Sequence, residues 1–250
     1  MQYGLGHLSA IPVRESTDPS SKMISQVLYG DVYKIKEERK YYSKIQLVFD
    51  GFEGWVDNRQ VTKISTKQFN DIESTQWPIY NPDFLCYVTT QKRELLPIVI
   101  GSRIDVCPLL DHQIEEVPQP EVYSKSHLVD SALLYLNSPF LDGGRTPLGI
   151  DSSGFTQMVY RINGIVLKRT TQEQSTQGEP LSFIEESEPG DLAFFDDKEG
   201  NINHVGIILQ DNYIIHASGH VRIDRLDHTG VFNNDKRSYT HSLRVIKKMI

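Results

Sequence analysis

The sequence is short of thiols and of long apolar runs. Only Cys86 and Cys107 are cysteines among its 250 residues, too few for a disulfide framework or a thiolate zinc cluster. Both are expected to be small buried side chains. No apolar run reaches the roughly 18 residues that cross a bilayer, and no basic-then-apolar leader follows Met1. We therefore expect no membrane partner and, most simply, a cytoplasmic protein; a chain trimmed of its leader would show the same pattern.

Basic charge is also scarce. Lys and Arg number 26 against 33 Asp and Glu, which gives a net charge of −7 and a pI near 5.6. Because a general nucleic-acid binder needs a basic face that displaces counterions, no nucleic-acid partner is expected. His216 and His220 are four apart in a strand-and-turn setting with no third ligand evident, so no metal is expected either.

The first 65 residues alternate short apolar stretches with turn formers. Alternating strands are predicted near residues 11–14, 32–35, 44–49 and 54–56, with turns at Gly30-Asp31 and Asp50-Gly51. Several short strands in so few residues predict a small closed barrel, since closure removes exposed strand edges.

Residues 66–120 have a weaker pattern. Apolar runs at 84–88 and 95–102 predict strands and allow a second barrel in this region. Residues 115–121 are acidic, contain prolines and are poor in apolar side chains, which indicates a linker or domain boundary.

The pattern changes again in residues 121–250. Apolar residues from Leu128 to Leu136 recur at helical spacing, and a second helix is predicted from about Ser152 to Asn163. Strands follow at 192–195, 203–209 and 213–218. Helices followed by antiparallel strands predict an α+β domain.

The start of the second helix carries the chemical signal. Ser152 would lie among unpaired backbone N–H groups at the positive end of the helix dipole, where a nucleophile is stabilised. His204 and His216 lie on consecutive predicted strands, so a hairpin could bring them together. The same residues are also explained without chemistry, by a helix cap and two hydrogen-bonded core histidines.

Four ordered motifs make the structural explanation insufficient, because together they resemble the NlpC/P60 family. They lie at residues 143–155, 189–195, 204–207 and 215–218. The N-terminal region resembles a bacterial SH3 (SH3b) domain at residues 13–16, 30–31 and 50–56. The resemblance implies a papain-like domain behind one or two SH3-like barrels. It implies hydrolysis of γ-D-glutamyl–diamino acid bonds in peptidoglycan-derived peptides without any cofactor, in the manner of dipeptidyl-peptidase VI enzymes, which act on peptides with a free N-terminal L-Ala.

The resemblance also implies roles for single residues. Ser152 has the nucleophile's position, His204 the base's and His216 that of the residue orienting the base. The residues implied in substrate binding are matched less evenly. Asp151 and Ser153 match residues that hold the substrate's amine. Arg169, Thr170 and Thr171 partly match a segment beside the glutamyl group. Glu15 and Phe52 match a Glu and a Tyr of the SH3b domain.

The chain departs from the family at the nucleophile, where Ser152 stands in place of cysteine. An alcohol is a far weaker acid than a thiol, so strongly impaired hydrolysis is expected. Asp142 is a second departure, because relatives usually have Trp there. Two origins fit, a deliberate replacement of the nucleophile or a natural pseudoenzyme that binds muropeptides without cutting them or has a regulatory role. A working serine nucleophile is a third alternative.

Overall fold

The computed structural model describes residues 1–117 and 125–249. The chain divides into two compact units, Met1–Val122 with Asp142–Pro147, and Tyr123–Leu141 with Leu148–Ile250. Most of the linker predicted at 115–121 lies outside the described residues. None of the described helices is long and apolar enough to span a membrane.

The first unit is built on a seven-stranded antiparallel sheet. Its spatial order is β3-β2-β6-β5-β4-β1-β7. The four strands predicted in this region are confirmed as β2, β4, β5 and β6. The strands are β1 (Gln2–Leu5), β2 (Ala10–Arg14), β3 (Met23–Leu28), β4 (Val32–Glu38), β5 (Tyr42–Leu47), β6 (Glu53–Asp57) and β7 (Thr62–Ile64).

Alternating burial explains this SH3-like sheet. Along β5 every second residue is buried, so Ile45 and Leu47 join Ile11 and Val27 in one apolar core. The turn predicted at Gly30 has φ +80, and a Cβ there would lie 2.1 Å from the Arg103 carbonyl oxygen. Only glycine fits that position.

Residues 66–117 contain few regular elements, and the second barrel allowed there stays a prediction. Their regular elements are the helix α1 (Thr66–Glu73), the strands β8 (Leu85–Thr89) and β9 (Leu95–Val99), and a 3₁₀ turn (Cys107–Leu110). Within the described residues β8 and β9 form a two-stranded sheet, and Thr89 at the end of β8 also bridges to Gln113. Two strands cannot enclose a core by themselves, and their apolar side chains join Leu5 and Val32 of the first sheet. Cys107 is buried as expected, whereas Cys86 is half-buried. The short strand β10 (Arg145–Thr146) also belongs to this unit.

The second unit is α+β, as predicted, and contains a closed six-stranded barrel. Strands β13 to β17 are neighbours in chain order, and β18 pairs with both β13 and β17. The elements are α2 (Lys125–Leu133), β11 (Gly149–Ile150), α3 (Ser152–Ile162), α4 (Thr171–Gln174), β12 (Glu179–Leu181), β13 (Leu192–Asp196), β14 (Ile202–Ile208), β15 (Tyr213–Ser218), β16 (His220–Leu226), β17 (Gly230–Asn233) and β18 (Ser238–Lys248).

Strands β13, β14 and β15 are buried on both faces. One set of alternate residues, including Phe195, Ile214 and Val231, fills the barrel interior. The other set, including Val205 and Ile215, is also fully buried and lies on the outer face, where α3 packs on β14 and β15. Near-continuous apolar strands such as β14 follow from this double burial.

Candidate functional site

The predicted nucleophile lies at the beginning of α3. Asp151 is the helix N-cap, and its Oδ1 accepts a hydrogen bond from the Gly154 N–H at 2.6 Å. Ser152 is the first helical residue and is 7% exposed. Among the described residues nothing hydrogen-bonds to Ser152 Oγ. The hydroxyl is thus placed at the positive helix end without an activating partner.

Buried polar contacts tie this end of α3 to the start of β14. Gln174 of α4 accepts from Thr156 Oγ1 at 2.7 Å and donates to the Ser153 carbonyl at 2.9 Å. Thr171, also of α4, donates to the carbonyl of Ile202 at 3.3 Å. Because Ile202 is the first residue of β14, the N-terminus of α3 lies at the barrel end where β14 begins.

The two predicted histidines meet at the same end of the barrel, so the predicted hairpin is confirmed. Gly206 of β14 is paired with His216 of β15, and His204 is opposite Phe195, so both imidazoles face the barrel interior. His204 Nε2 lies 2.7 Å from His216 Nδ1. His216 Nε2 lies 3.1 Å from Asp224 Oδ2. Three buried groups therefore form one hydrogen-bonded series.

Asp224 anchors this series. It is 1% exposed and also accepts a hydrogen bond from Arg222 Nη2 at 2.9 Å. Burial opposes ionisation of its carboxyl, but the hydrogen bonds from His216 and Arg222 outweigh it and lower the pKa of Asp224. The carboxylate is thus ionised at neutral pH.

The ionised carboxylate determines the tautomers of both histidines. A carboxylate can only accept, so His216 donates from Nε2 and its Nδ1 accepts from His204 Nε2. The lone pair of His204 is then on Nδ1. Burial, followed by the electrostatic effect of the neighbouring His216 and His241 imidazoles, lowers the pKa of His204 well below its usual range. His204 is therefore a neutral imidazole that can accept a proton.

His241 is a third imidazole in this cluster, and sequence reasoning missed it. It lies on β18 opposite Val231 and faces the barrel interior. Its ring stacks on that of His204, with centroids 4.0 Å apart and planes inclined by 23°. Burial lowers the pKa of His241 to about 4. Its Nδ1 lies 2.9 Å from Thr240 Oγ1.

Asp151, Ser153 and Arg169, which the sequence connected with substrate binding, are brought together. Arg169 contacts both carboxylate oxygens of Asp151, at 3.0 and 2.6 Å, and donates to Ser153 Oγ at 2.9 Å. It is 3% exposed. The hydroxyl of Thr170 caps α4 in a capping box with Glu173, so it serves the helix.

Two further predicted residues belong to the first unit. Glu15 is exposed just after β2, and Phe52 is half-buried just before β6. Their role beside a substrate amine stays a prediction.

Asp224 and His241 differ in how far the sequence could have revealed them. A turn at Gly219 pairs Ile214 with Asp224, which places Asp224 on the face of His216. Strand alternation around that turn was a usable signal. His241 reaches the cluster only because β18 closes the barrel, and no local pattern encodes that closure.

Comparison with known families identifies this arrangement. Residues 137–238, which include α3 and the strands bearing His204, His216 and Asp224, match the model of the NlpC/P60 family. The second unit carries an NlpC/P60 domain. Residues 13–61 match the bacterial dipeptidyl-peptidase Sh3 domain, so the SH3-like first unit is also confirmed.

The chain is similar to proteins of known name. The chain is 23% identical over 236 residues to a gamma-D-glutamyl-L-lysine dipeptidyl-peptidase of Bacillus cereus, covering 79% of this chain and 68% of that protein. It is 33% identical over 108 residues to dipeptidyl-peptidase 6 of Lysinibacillus sphaericus, covering 41% and 37%. A crystal structure of an NlpC/P60 family protein from Bacillus cereus superposes with a TM-score of 0.77 at 18% identity, covering 99% of each chain. That last likeness concerns the fold.

Proposed function

We propose that the chain recognises peptidoglycan-derived peptides and has the scaffold of a peptidase that cleaves their γ-D-glutamyl–diamino acid bond. The observation that carries the proposal is the buried series from Asp224 through His216 to His204, at the barrel end where Ser152 begins α3. The named relatives support the substrate class.

In a peptidase of this kind with cysteine at position 152, the cysteine, His204, His216 and Asp224 each have a role. A cysteine at position 152 would attack the γ-glutamyl carbonyl as its thiolate, and His204 would give a proton to the leaving amine. Water would then release the acyl group with His204 as the base. His216 and Asp224 hold the imidazole of His204 in the tautomer that this transfer needs.

Serine at position 152 removes the thiolate on which that reaction depends. A thiol with a pKa near 8.5 is readily converted to thiolate by a nearby imidazole and a helix N-terminus, whereas an alcohol must lose its proton during the attack. Ser152 Oγ also has no hydrogen bond to a base among the described residues. We therefore propose strongly reduced hydrolysis in the chain with serine.

The second candidate function is a non-catalytic protein that binds or senses muropeptides. It is favoured by the ion pair of Asp151 with Arg169, which fills both oxygens of the carboxylate expected to hold the substrate's amine. A peptide amine would have to compete with a buried guanidinium for that carboxylate.

The test compares the unsubstituted chain with Ser152→Cys on L-Ala-γ-D-Glu-L-Lys-D-Ala and its meso-diaminopimelate counterpart. Mass spectrometry would look for released L-Ala-γ-D-Glu. Cleavage by Ser152→Cys alone, abolished by adding His204→Ala, supports the peptidase scaffold. Peptide binding by calorimetry with no cleavage by either chain supports the second candidate. Cleavage by the unsubstituted chain, with fluorophosphonate labelling of Ser152, would show a working serine nucleophile.

A further inference from the structure

The three interior histidines bring three potential metal-ligand nitrogens close together. His204, His216 and His241 each present one ring nitrogen, and these nitrogens all lie within 4.8 Å of one another. They come from β14, β15 and β18, three strands of one closed barrel. We propose that this cluster is a binding site for a divalent transition-metal ion such as Zn²⁺.

The outer partners of the imidazoles fit such a site. His216 Nε2 is held by Asp224, which leaves Nδ1 facing the cluster. His241 Nδ1 is engaged by Thr240 Oγ1, which leaves Nε2. A carboxylate or hydroxyl behind a ligating imidazole orients the ring and raises its basicity.

Charge and access favour a cation here. A cavity of about 760 Å³ opens onto the rings of His204 and His241, and its lining includes Asp196, Asp197 and Glu199. These three carboxylates outnumber the cationic side chain of Lys198 in the same lining, so the entrance attracts cations, and the cavity leaves room for water as a fourth ligand.

Binding requires the cluster to rearrange. The ring of His241, which stacks on His204 with centroids 4.0 Å apart, must turn until its free nitrogen points at the ion. Imidazole nitrogens at about 2.0–2.1 Å from a tetrahedral Zn²⁺ lie roughly 3.3 Å apart. His204 Nε2 and His216 Nδ1 are 2.7 Å apart, so their hydrogen bond must open by about 0.6 Å. The proton of His204 Nε2 then moves to Nδ1. Because Nδ1 carries the lone pair of the proposed base, bound metal and base function exclude each other.

The experiment titrates Zn²⁺ into the tag-free, chelator-treated chain by calorimetry and repeats the titration with Co²⁺, whose visible absorption reports its coordination. We expect one ion per chain and a four-coordinate Co²⁺ spectrum. His241→Phe, which keeps an aromatic ring on His204, should weaken Zn²⁺ binding at least about 100-fold, the upper range for losing only an outer-shell partner. His220→Ala is the control, since His220 is exposed, and should bind as the unsubstituted chain does.

Several results would overturn the proposal. They are the absence of saturable binding to the unsubstituted chain, and full affinity in a His241→Phe variant whose circular dichroism shows a native fold. If that variant does not fold, ¹⁵N spectra of the unsubstituted chain decide. Zn²⁺ must shift the signals of His204, His216 and His241 and leave those of the exposed His220 and His228 in place; the reverse pattern refutes the site. All these measurements use Ser152 and no peptide, so their outcome is independent of the proposed peptidase function.

Discussion

Replacing Asp224 tests whether the buried hydrogen-bonded series holds the barrel end together. Asp224→Ala leaves His216, which is fully buried, without its Nε2 partner. Removing one partner of a buried charged pair typically costs about 3–5 kcal/mol. Arg222 keeps a second carboxylate, since its Nη2 also lies 2.8 Å from Asp235 Oδ2. We therefore expect the lower end, about 3 kcal/mol of unfolding free energy.

Two comparison variants make the measurement specific. Asp224→Asn keeps the shape and loses the charge, so about 1–2 kcal/mol is expected, because hydrogen bonds to an ionised acceptor are roughly twice as strong as neutral ones. Asp235→Ala removes the exposed partner of the same Arg222 and should cost less than about 1 kcal/mol. Urea unfolding at pH 7 with a chelator present gives all three free energies.

The pH dependence provides a second check on Asp224. Its pKa is lowered in the folded chain, so its contribution is present above the unfolded pKa of about 3.9 and is lost as pH falls through the lower folded value. The difference between the unsubstituted chain and Asp224→Asn should stay constant from about pH 5 to 7 and shrink below about pH 4. An Asp224→Ala cost no larger than that of Asp235→Ala, or an Asn difference unchanged in acid, would refute this reasoning.

Three further perturbations follow from the second unit. Gln174→Leu should lower the unfolding free energy by about 2–4 kcal/mol in urea unfolding, since it removes the hydrogen bonds of Gln174 with Thr156 Oγ1 and with the carbonyls of Ser153 and Lys168. A cost below about 1 kcal/mol would contradict it. Gly206→Ala would place a Cβ 2.7 Å from Ile214 Cδ1 and 2.9 Å from His216 Cβ. We expect about 1–3 kcal/mol of destabilisation and, in a Ser152→Cys background, slower peptide cleavage. An unchanged melting temperature and cleavage rate would show that β15 adapts freely. The pKa of His241 is lowered to about 4 in the folded chain, so on acidification the imidazole is protonated first in the unfolded chain. The unfolding free energy should therefore fall as pH drops from 6.5 towards 4. His241→Phe, measured with chelator, should flatten part of that dependence on pH, and an identical dependence would count against a neutral imidazole inside the barrel.

The sequence by itself determined the local elements and much of the chemistry. Period-2 alternation located the strands of the first sheet, and helical spacing with an Asp151 cap located α3, because both signals depend on residues close in the chain. The hairpin joining His204 and His216 was equally local, since twelve residues with one turn separate them. The ordered motifs around them were sufficient to indicate the NlpC/P60 domain.

Tertiary structure alone decided which distant side chains complete the site. The two strands at 85–99 joined the core of the first sheet because a hairpin by itself cannot bury its apolar face. Arg169 reached Asp151 and Ser153 through the path of the chain between α3 and α4. His241 came to lie on His204 only when β18 closed the barrel. Such contacts depend on which strands become neighbours, and that choice is made by burying both faces of the barrel at once, a property of the whole unit that no short stretch of sequence contains.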